Sequence, residues 1–182
     1  MIGAACHPSS DRHPAQLVTD FSDIDARLKA PRDGWEPTDV NPAGFGDRQF
    51  ISETDDDRLR VRYFERVDDG ALVGRVWYGP GAEGPPGHAH GGSTAAIIDE
   101  IMGTSCWLAG HPVVAGSITV HFRDMVPLND IVEIVAYIDR IDGRKLHTIG
   151  RITAADGSLL AEGEGVFVEI DPSRFQPSDD TP

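Results

Sequence analysis

GPPGHAHGGSTAAIIDEIMGTSCWLAG, residues 84–110, is the stretch on which the reading of this chain turns. Its opening, Gly84-Pro85-Pro86-Gly87, suits neither helix nor strand, because proline removes a backbone donor and glycine carries a large entropic cost in regular structure. From Gly91 to Ala109 the pattern is helical. Ala95, Ala96, Ile97, Ile98, Ile101, Met102, Cys106, Trp107 and Leu108 cover nearly the whole circumference. Gly110 stands where a C-terminal stop belongs, and Pro112 follows. A helix that is apolar almost all round is buried almost all round. The remaining chain must therefore wrap it.

Working outward, the neighbours read as strands. In RLRVRYFERV (58–67), Leu59, Val61 and Tyr63 alternate with Arg58, Arg60 and Arg62, the period of a half-buried strand. Asp68-Asp69-Gly70 is a turn, and ALVGRVWYG (71–79) returns, so residues 58–79 predict a hairpin. Four more strands are expected near 113–123, 130–140, 144–154 and 158–170. Pro127 with Asn129-Asp130, Asp142-Gly143 and Asp156-Gly157 turn the chain between them. Val132, Ile134, Ala136 and Ile138 give one strand an unbroken apolar face. The fold class is α+β: an antiparallel β-sheet wrapped around one long buried helix. A doubly wound parallel sheet needs more helices than the sequence offers.

Outside this block the signals weaken. Residues 1–16 lack periodicity and read as a tail. Leu17, Phe21, Ile24 and Leu28 draw one stripe on a short helix, which Pro31 and Gly34 end. Residues 31–47 are rich in Pro and Gly and read as loop, and 171–182 as a polar tail. The expected division is 1–47 for tail, short helix and loop, 48–170 for the folded domain, and 171–182 for the C-terminal tail.

Composition bounds the function. The 182 residues suit one domain. With 16 Lys and Arg against 30 Asp and Glu, the net charge is −14, which opposes binding to nucleic acid or anionic lipid. No apolar run approaches a membrane span, and the N-terminus lacks the basic start and apolar stretch of a secretory signal. Cys6 and Cys106 make no disulfide framework; both are expected reduced, in the cytoplasm.

Chemistry concentrates where the loop meets the helix. Gly91 and Gly92 open the helix, where backbone N–H groups have no internal partner and carry partial positive charge. Glycine lets a ligand atom approach the main chain closely, so the position can polarise a carbonyl. Asp99 lies about 2.5 turns further on, among Ala95, Ala96, Met102 and Gly103. A carboxylate there needs a donor, a proton or a cleft. It reads equally as a catalytic group or as a carboxylate bonded across an oligomer interface. Glu100 is about 100° round the helix and faces another side. His88-x-His90 with Asp99 raises the possibility of zinc, but no HExxH and no Cys pair accompany it, and no metal is expected. A Gly-x-Ser-x-Gly elbow, a Walker loop and a dinucleotide fingerprint are all absent. Cys106, deep in an apolar helix, is a poor nucleophile.

GPPGHAHGGSTAAIIDEIMG resembles the signature of the hotdog-fold acyl-CoA thioesterases, nearest the phenylacetate-pathway and "thioesterase superfamily member" types. The pattern is His-Gly-Gly, six residues, then Asp: here His90-Gly91-Gly92 and Asp99. Similarity extends over about residues 72–170, including the strand at 113–123, Pro127 and IDGRKL (141–146). The resemblance implies hydrolysis of acyl-CoA without metal or separate cofactor, coenzyme A being part of the substrate. It implies that the Gly91 N–H meets the thioester oxygen and that His90 positions or polarises that carbonyl. Asp99 would reach in from a partner subunit as base or nucleophile, in a homodimer that can pair into a dimer of dimers. Gly143-Arg144-Lys145 would lie near the coenzyme A phosphates, a basic spot on an acidic protein. The chain departs from the family pattern in His88, where relatives carry an aromatic residue, in Ala115, where many carry an assisting Thr, and in Asp124 after Arg123. Ser117 or Thr119 is the nearest substitute hydroxyl. The alternatives are a hotdog hydratase or dehydratase, and a non-catalytic acyl-CoA-binding module.

Overall fold

A computed structural model describes residues 21–30, 32–38, 40, 51 and 57–175. Helix α1 (Ser22–Lys29) and strand β1 (Trp35–Pro37) precede the hairpin β2 (Leu59–Arg66) and β3 (Leu72–Tyr78). Helix α2 (Gly91–Leu108) follows, then β4 (Val113–Phe122), β5 (Ile131–Asp142), β6 (Lys145–Thr153) and β7 (Leu159–Glu169). The seven strands form one antiparallel sheet in the order β1-β2-β3-β5-β6-β7-β4. Every strand expected from residue 58 onward is present within two or three residues of its expected ends. The 31–47 loop contains β1, which pairs with β2 and so draws part of the 1–47 stretch into the sheet. The N-terminal tail, the helix start at Leu17 and both tail histidines lie outside the described residues.

The turns carry the expected chemistry. Asp142 pairs with Lys145 across the two-residue turn Gly143-Arg144, and Gly143 has φ 57°, which a hairpin of this length requires. The sheet curls because α2 sits close on a glycine floor. A Cβ on Gly163 would lie 2.3 Å from Ile98 Cγ2, and one on Gly150 would lie 3.0 Å from Met102 Cγ. Ile97, Ile98, Ile101, Met102 and Cys106 are at most 1 % exposed against this floor. Gly163→Val should therefore lower stability by about 1–3 kcal/mol, because the side chain has nowhere to go without lifting the helix. The check is the urea midpoint at unchanged slope; a wild-type midpoint would mean the helix yields freely.

The helix is not buried all round, as its composition suggests. One stripe, Gly92-Ala96-Asp99-Gly103, is only partly covered: Gly92 is exposed and the other three are of intermediate burial. Gly and Ala add little apolar area, so the sheet covers only the Ile, Met and Cys side. At the other end of the sheet α1 packs on β2 and β3. Buried Arg60 makes a two-pronged ion pair with Asp25, Nε–Oδ1 and Nη2–Oδ2 both 2.9 Å, and stacks over Phe21. Arg75 donates to the carbonyls of Arg27 and Ala30, which end α1. Among the described residues no helix is long and apolar enough to cross a membrane.

Candidate active site

The loop before α2 is strapped down by its backbone. His90 N–H donates to Ala82, Ala89 N–H to Val126 and Leu128 N–H to Gly87. Gly84 is there because a Cβ would come within 2.7 Å of His90 Cα. His90 is the N-cap of α2, in extended conformation with φ −65° and ψ 136°. Its Nδ1 accepts from Gly92 N–H at 2.9 Å, and its carbonyl receives Ser93 N–H. With Nδ1 accepting, the neutral ring carries its proton on Nε2, a donor at the helix mouth. The Gly91 N–H, first in the helix, is left without an acceptor among the described residues. This is the geometry expected at an anion or carbonyl site: one donor spoken for by the cap, the next one open.

Phe122, at the end of β4, stands beside that open donor. Its ring lies 3.5 Å from where a Cβ on Gly91 would sit, and it is 56 % exposed. Arg123 fixes the backbone here, donating to Glu162 Oε1 from Nε (3.0 Å) and Nη2 (2.6 Å), while the Arg123 and Asp124 N–H groups both donate to Leu160. Sequence reasoning passed over Phe122. The signal was present: Ile118, Val120 and Phe122 alternate along β4 as one apolar stripe that ends in an aromatic ring.

Asp99 sits two turns on, on the partly covered stripe. Its Oδ1 is buried and has no hydrogen-bond partner, and burial pushes its pKa above the ordinary carboxylate value. Glu100 faces the β2 side, as its 100° offset requires. Burial, then the neighbouring Asp99 charge, raise its pKa, and Glu100 in turn adds to the elevation that burial imposes on Tyr63. Along the helix, Gly91 and Asp99 are about 12 Å apart.

The other candidates are distributed unevenly. Ser117 pairs with Val166, one residue from Gly165, which faces α2. Ser117 therefore points to the opposite surface, beside Thr119, Arg140, His147 and Glu164. Neither hydroxyl is brought to Asp99, because the register shift between Ala115 and Ser117 reverses the expected facing. Ala115, which carries only a methyl group, pairs with Phe167, whose ring lies against Gly103. Arg144 and Lys145 lie at the end of the sheet where α2 terminates: Lys145 pairs with Val168, which pairs with Val114. Arg144 donates to the Glu169 carbonyl at 2.6 Å. The 18-residue helix, about 27 Å long, runs from Gly91 to this end of the sheet. His88 is occupied at Nδ1, which donates to the Pro86 carbonyl at 3.0 Å. Cys106 is buried with a free thiol, and burial pushes its pKa up to about 11, so it is inert as a nucleophile.

Residues 86–161 match the family model of the thioesterase superfamily. The chain is 30 % identical over 142 residues to acyl-coenzyme A thioesterase THEM4 of Bos taurus, an alignment that covers 76 % of this chain and 59 % of that protein. It thus spans less than two thirds of this relative's length. A solved thioesterase superfamily protein is 29 % identical with a TM-score of 0.56, covering 60 % of this chain and 54 % of that one. A hypothetical thioesterase from Streptococcus pneumoniae, solved with coenzyme A, aligns with a TM-score of 0.57 at 18 % identity, covering 65 % and 89 %. The fold is the hotdog fold, with the helix of residues 91–108 as its filling, and residues 86–161 carry the match to the thioesterase superfamily.

Proposed function

We propose that this chain hydrolyses acyl-CoA thioesters as a homodimer, with each reacting centre shared between two subunits. The observation that carries the proposal is Asp99: a carboxylate oxygen buried without a partner, on a partly covered face of the helix, about 12 Å from the open Gly91 donor of its own chain. Reacting groups must come within about 3 Å of one another. A two-fold axis that sets two α2 helices antiparallel brings the Asp99 of each beside the Gly91 of the other. The edge strand β4, paired on one side only among the described residues, suits such a pairing. The same axis brings Arg144 and Lys145 of one subunit toward the helix start of the other, which resolves their separation within one chain.

In this arrangement the thioester oxygen takes the Gly91 N–H, with the His90 Nε2–H near it and Gly92 leaving room for the approach. Asp99 removes a proton from water as the water attacks the carbonyl carbon, or attacks that carbon itself. The oxyanion rests on the Gly91 donor, and collapse of the tetrahedral species expels the thiolate of coenzyme A, which takes up the proton released from water; where Asp99 itself attacks, water then hydrolyses the mixed anhydride left on Asp99 and frees the acid. The acyl-CoA substrate is supported by the activity named for the bovine relative and by the coenzyme A held in the S. pneumoniae neighbour. No metal and no separate cofactor take part. Two dimers can associate further, and a reducing cytoplasm suits the free Cys106 thiol.

The direct test is release of free thiol from a panel of acyl-CoAs. Release supports hydrolysis, conversion of an enoyl group points to a hydratase, and binding without turnover points to a binding module. Replacing Arg144 and Lys145 together by Ala should raise KM by about tenfold or more with little change in kcat. Remote phosphate contacts are alike in ground and transition states, and charge-assisted bonds are worth about 1.5–3 kcal/mol. An unchanged KM would return both residues to the role of solvated turn positions.

A further inference from the structure

The open Gly91 donor is framed by one short stretch, residues 122–128. Phe122 stands beside the donor, its ring 3.5 Å from where a Cβ on Gly91 would sit. Further along, the Val126 carbonyl accepts the Ala89 N–H, and the Leu128 N–H donates to Gly87, so the same stretch carries the loop that ends in His90. What fixes the stretch lies on the opposite face of the sheet. There Glu162 of β7 stands directly across from His121 of β4 and from Arg151 of β6. Its Oε1 accepts from Arg123 Nε at 3.0 Å and Nη2 at 2.6 Å, and its Oε2 lies 3.9 Å from Arg151 Nε. The Arg123 and Asp124 N–H groups share the Leu160 carbonyl. The bond from Arg123 above all, and then the charges of Arg151 and His121, hold the Glu162 carboxyl below the usual carboxylate range, so it is ionised at neutral pH.

We infer that Glu162 is a positioning residue: through Arg123 it holds the 122–128 stretch, and with it both the Phe122 wall and the His90 loop, in place around the Gly91 donor. This rests on the thioesterase reading above and adds to it a residue that touches neither the substrate nor the donor. The side chains of Arg123 and Glu162 are 50 % and 27 % exposed, and exposed ion pairs add little to stability. A geometric task suits the pair better. The strand β4 bonds to β7 alone among the described residues, and its ladder ends at Phe122. Beyond that point the Leu160 carbonyl and the Arg123–Glu162 bonds keep the chain attached to β7. Phe122 is 56 % exposed, so its place is set by this backbone and not by a core around the ring. An oxyanion donor works only when it is aimed in advance. A misplacement of about 1 Å can cost about 10²-fold in rate.

The test has two arms. Thiol release from an acyl-CoA that the wild type turns over is measured for Glu162→Ala, Arg123→Ala and the double variant. Glu162→Ala should lower kcat by about tenfold and leave KM within about twofold. Its Tm should fall by no more than about 4 °C, the most an exposed pair is worth in a chain of this size. Arg123→Ala should behave alike, and the double variant should be no worse than either single, because the two side chains make one clamp. Glu162→Ala is then repeated in the Gly91→Pro background. With the donor gone there is little left to position, so the second change should cost less than about twofold. A loss there as large as in the single variant, or a single variant with unchanged kcat, overturns the assignment. The second arm needs no turnover. The Ala89 and Leu128 amides, which bond between this stretch and the loop, should exchange their hydrogens about tenfold faster or more in Glu162→Ala, while amides of the β5–β6 ladder keep the wild-type rate. Unchanged exchange at Ala89 and Leu128 overturns the clamp whatever the activity. If the wild type releases no thiol from any acyl-CoA, the proposed function fails, and exchange alone still decides whether Glu162 holds the loop before Gly91.

Discussion

Asp99→Asn should lower kcat by at least about 100-fold while the protein stays folded. General-base catalysis contributes about 10²–10⁴-fold, and a lost nucleophile costs more. The amide keeps the size of the carboxylate but cannot take a proton from water or attack a carbonyl. Binding of the coenzyme should change little, because its phosphates are held elsewhere. Stability gives an independent sign. Burial raises the Asp99 pKa above its ordinary value, so the folded chain holds this proton more tightly than the unfolded chain does. The side chain's favourable contribution is then present below the ordinary carboxylate range and is lost as pH rises through the elevated folded pKa. The Asn variant has no such loss and should melt at or above the wild-type temperature at neutral pH. The acid limb of wild-type kcat should lie above the ordinary carboxylate range. If Asp99 instead serves only to hold an interface, Asn will lower the melting temperature or the dimer affinity and spare the turnover of the dimer that remains.

The second large effect is expected from Gly91→Pro. Proline is well suited to the first position of a helix, where its missing N–H breaks no internal bond. His90, with φ −65° and ψ 136°, already has the extended conformation that a residue before proline needs. A Cβ at position 91 meets Phe122 at 3.5 Å, an ordinary contact. The substitution therefore removes one atom of consequence, the hydrogen that stabilises the oxyanion. Loss of one such donor typically costs about 10²–10³-fold in kcat. Gly91→Ala, which keeps the N–H, serves as its control. A Gly91→Pro enzyme with near-normal kcat would remove this donor from the reaction.

Most of the sheet was legible because its turns announce themselves. Asp142-Gly143 and Asp156-Gly157 fall at the hairpin tips, and Gly143 and Gly157 both take positive φ. The helix was legible from its flanks, Gly91 and Gly110, more than from its faces. Its apolar circumference concealed a partly covered stripe because Gly92, Ala96 and Gly103 are too small to show whether they are covered. Strand β1 was missed because three residues, Trp35–Pro37, that follow Gly34 and end on a proline carry no periodicity. The site was half legible. Glycines opening a helix and carboxylates inside its apolar run are chemical oddities that stand out in one dimension. The facing of Ser117 did not, because the β-bulge beside Ala115 reverses the alternation that a strand normally guarantees.

The shared site makes a claim that no single variant tests. Asp99→Asn and Gly91→Pro each disable both centres of their own homodimer. Mixed and allowed to exchange subunits, they form heterodimers in which one centre carries both defects and the other carries neither. Random exchange at equal amounts leaves about a quarter of all centres intact. The decisive measurement is thiol release by the two purified variants, alone and after exchange, with heterodimer formation confirmed by mass. Recovery toward about a quarter of wild-type activity is predicted, from parents that are each nearly inactive. If heterodimers form and activity stays at the level of the parents, Asp99 and Gly91 do not act on the same thioester from opposite subunits.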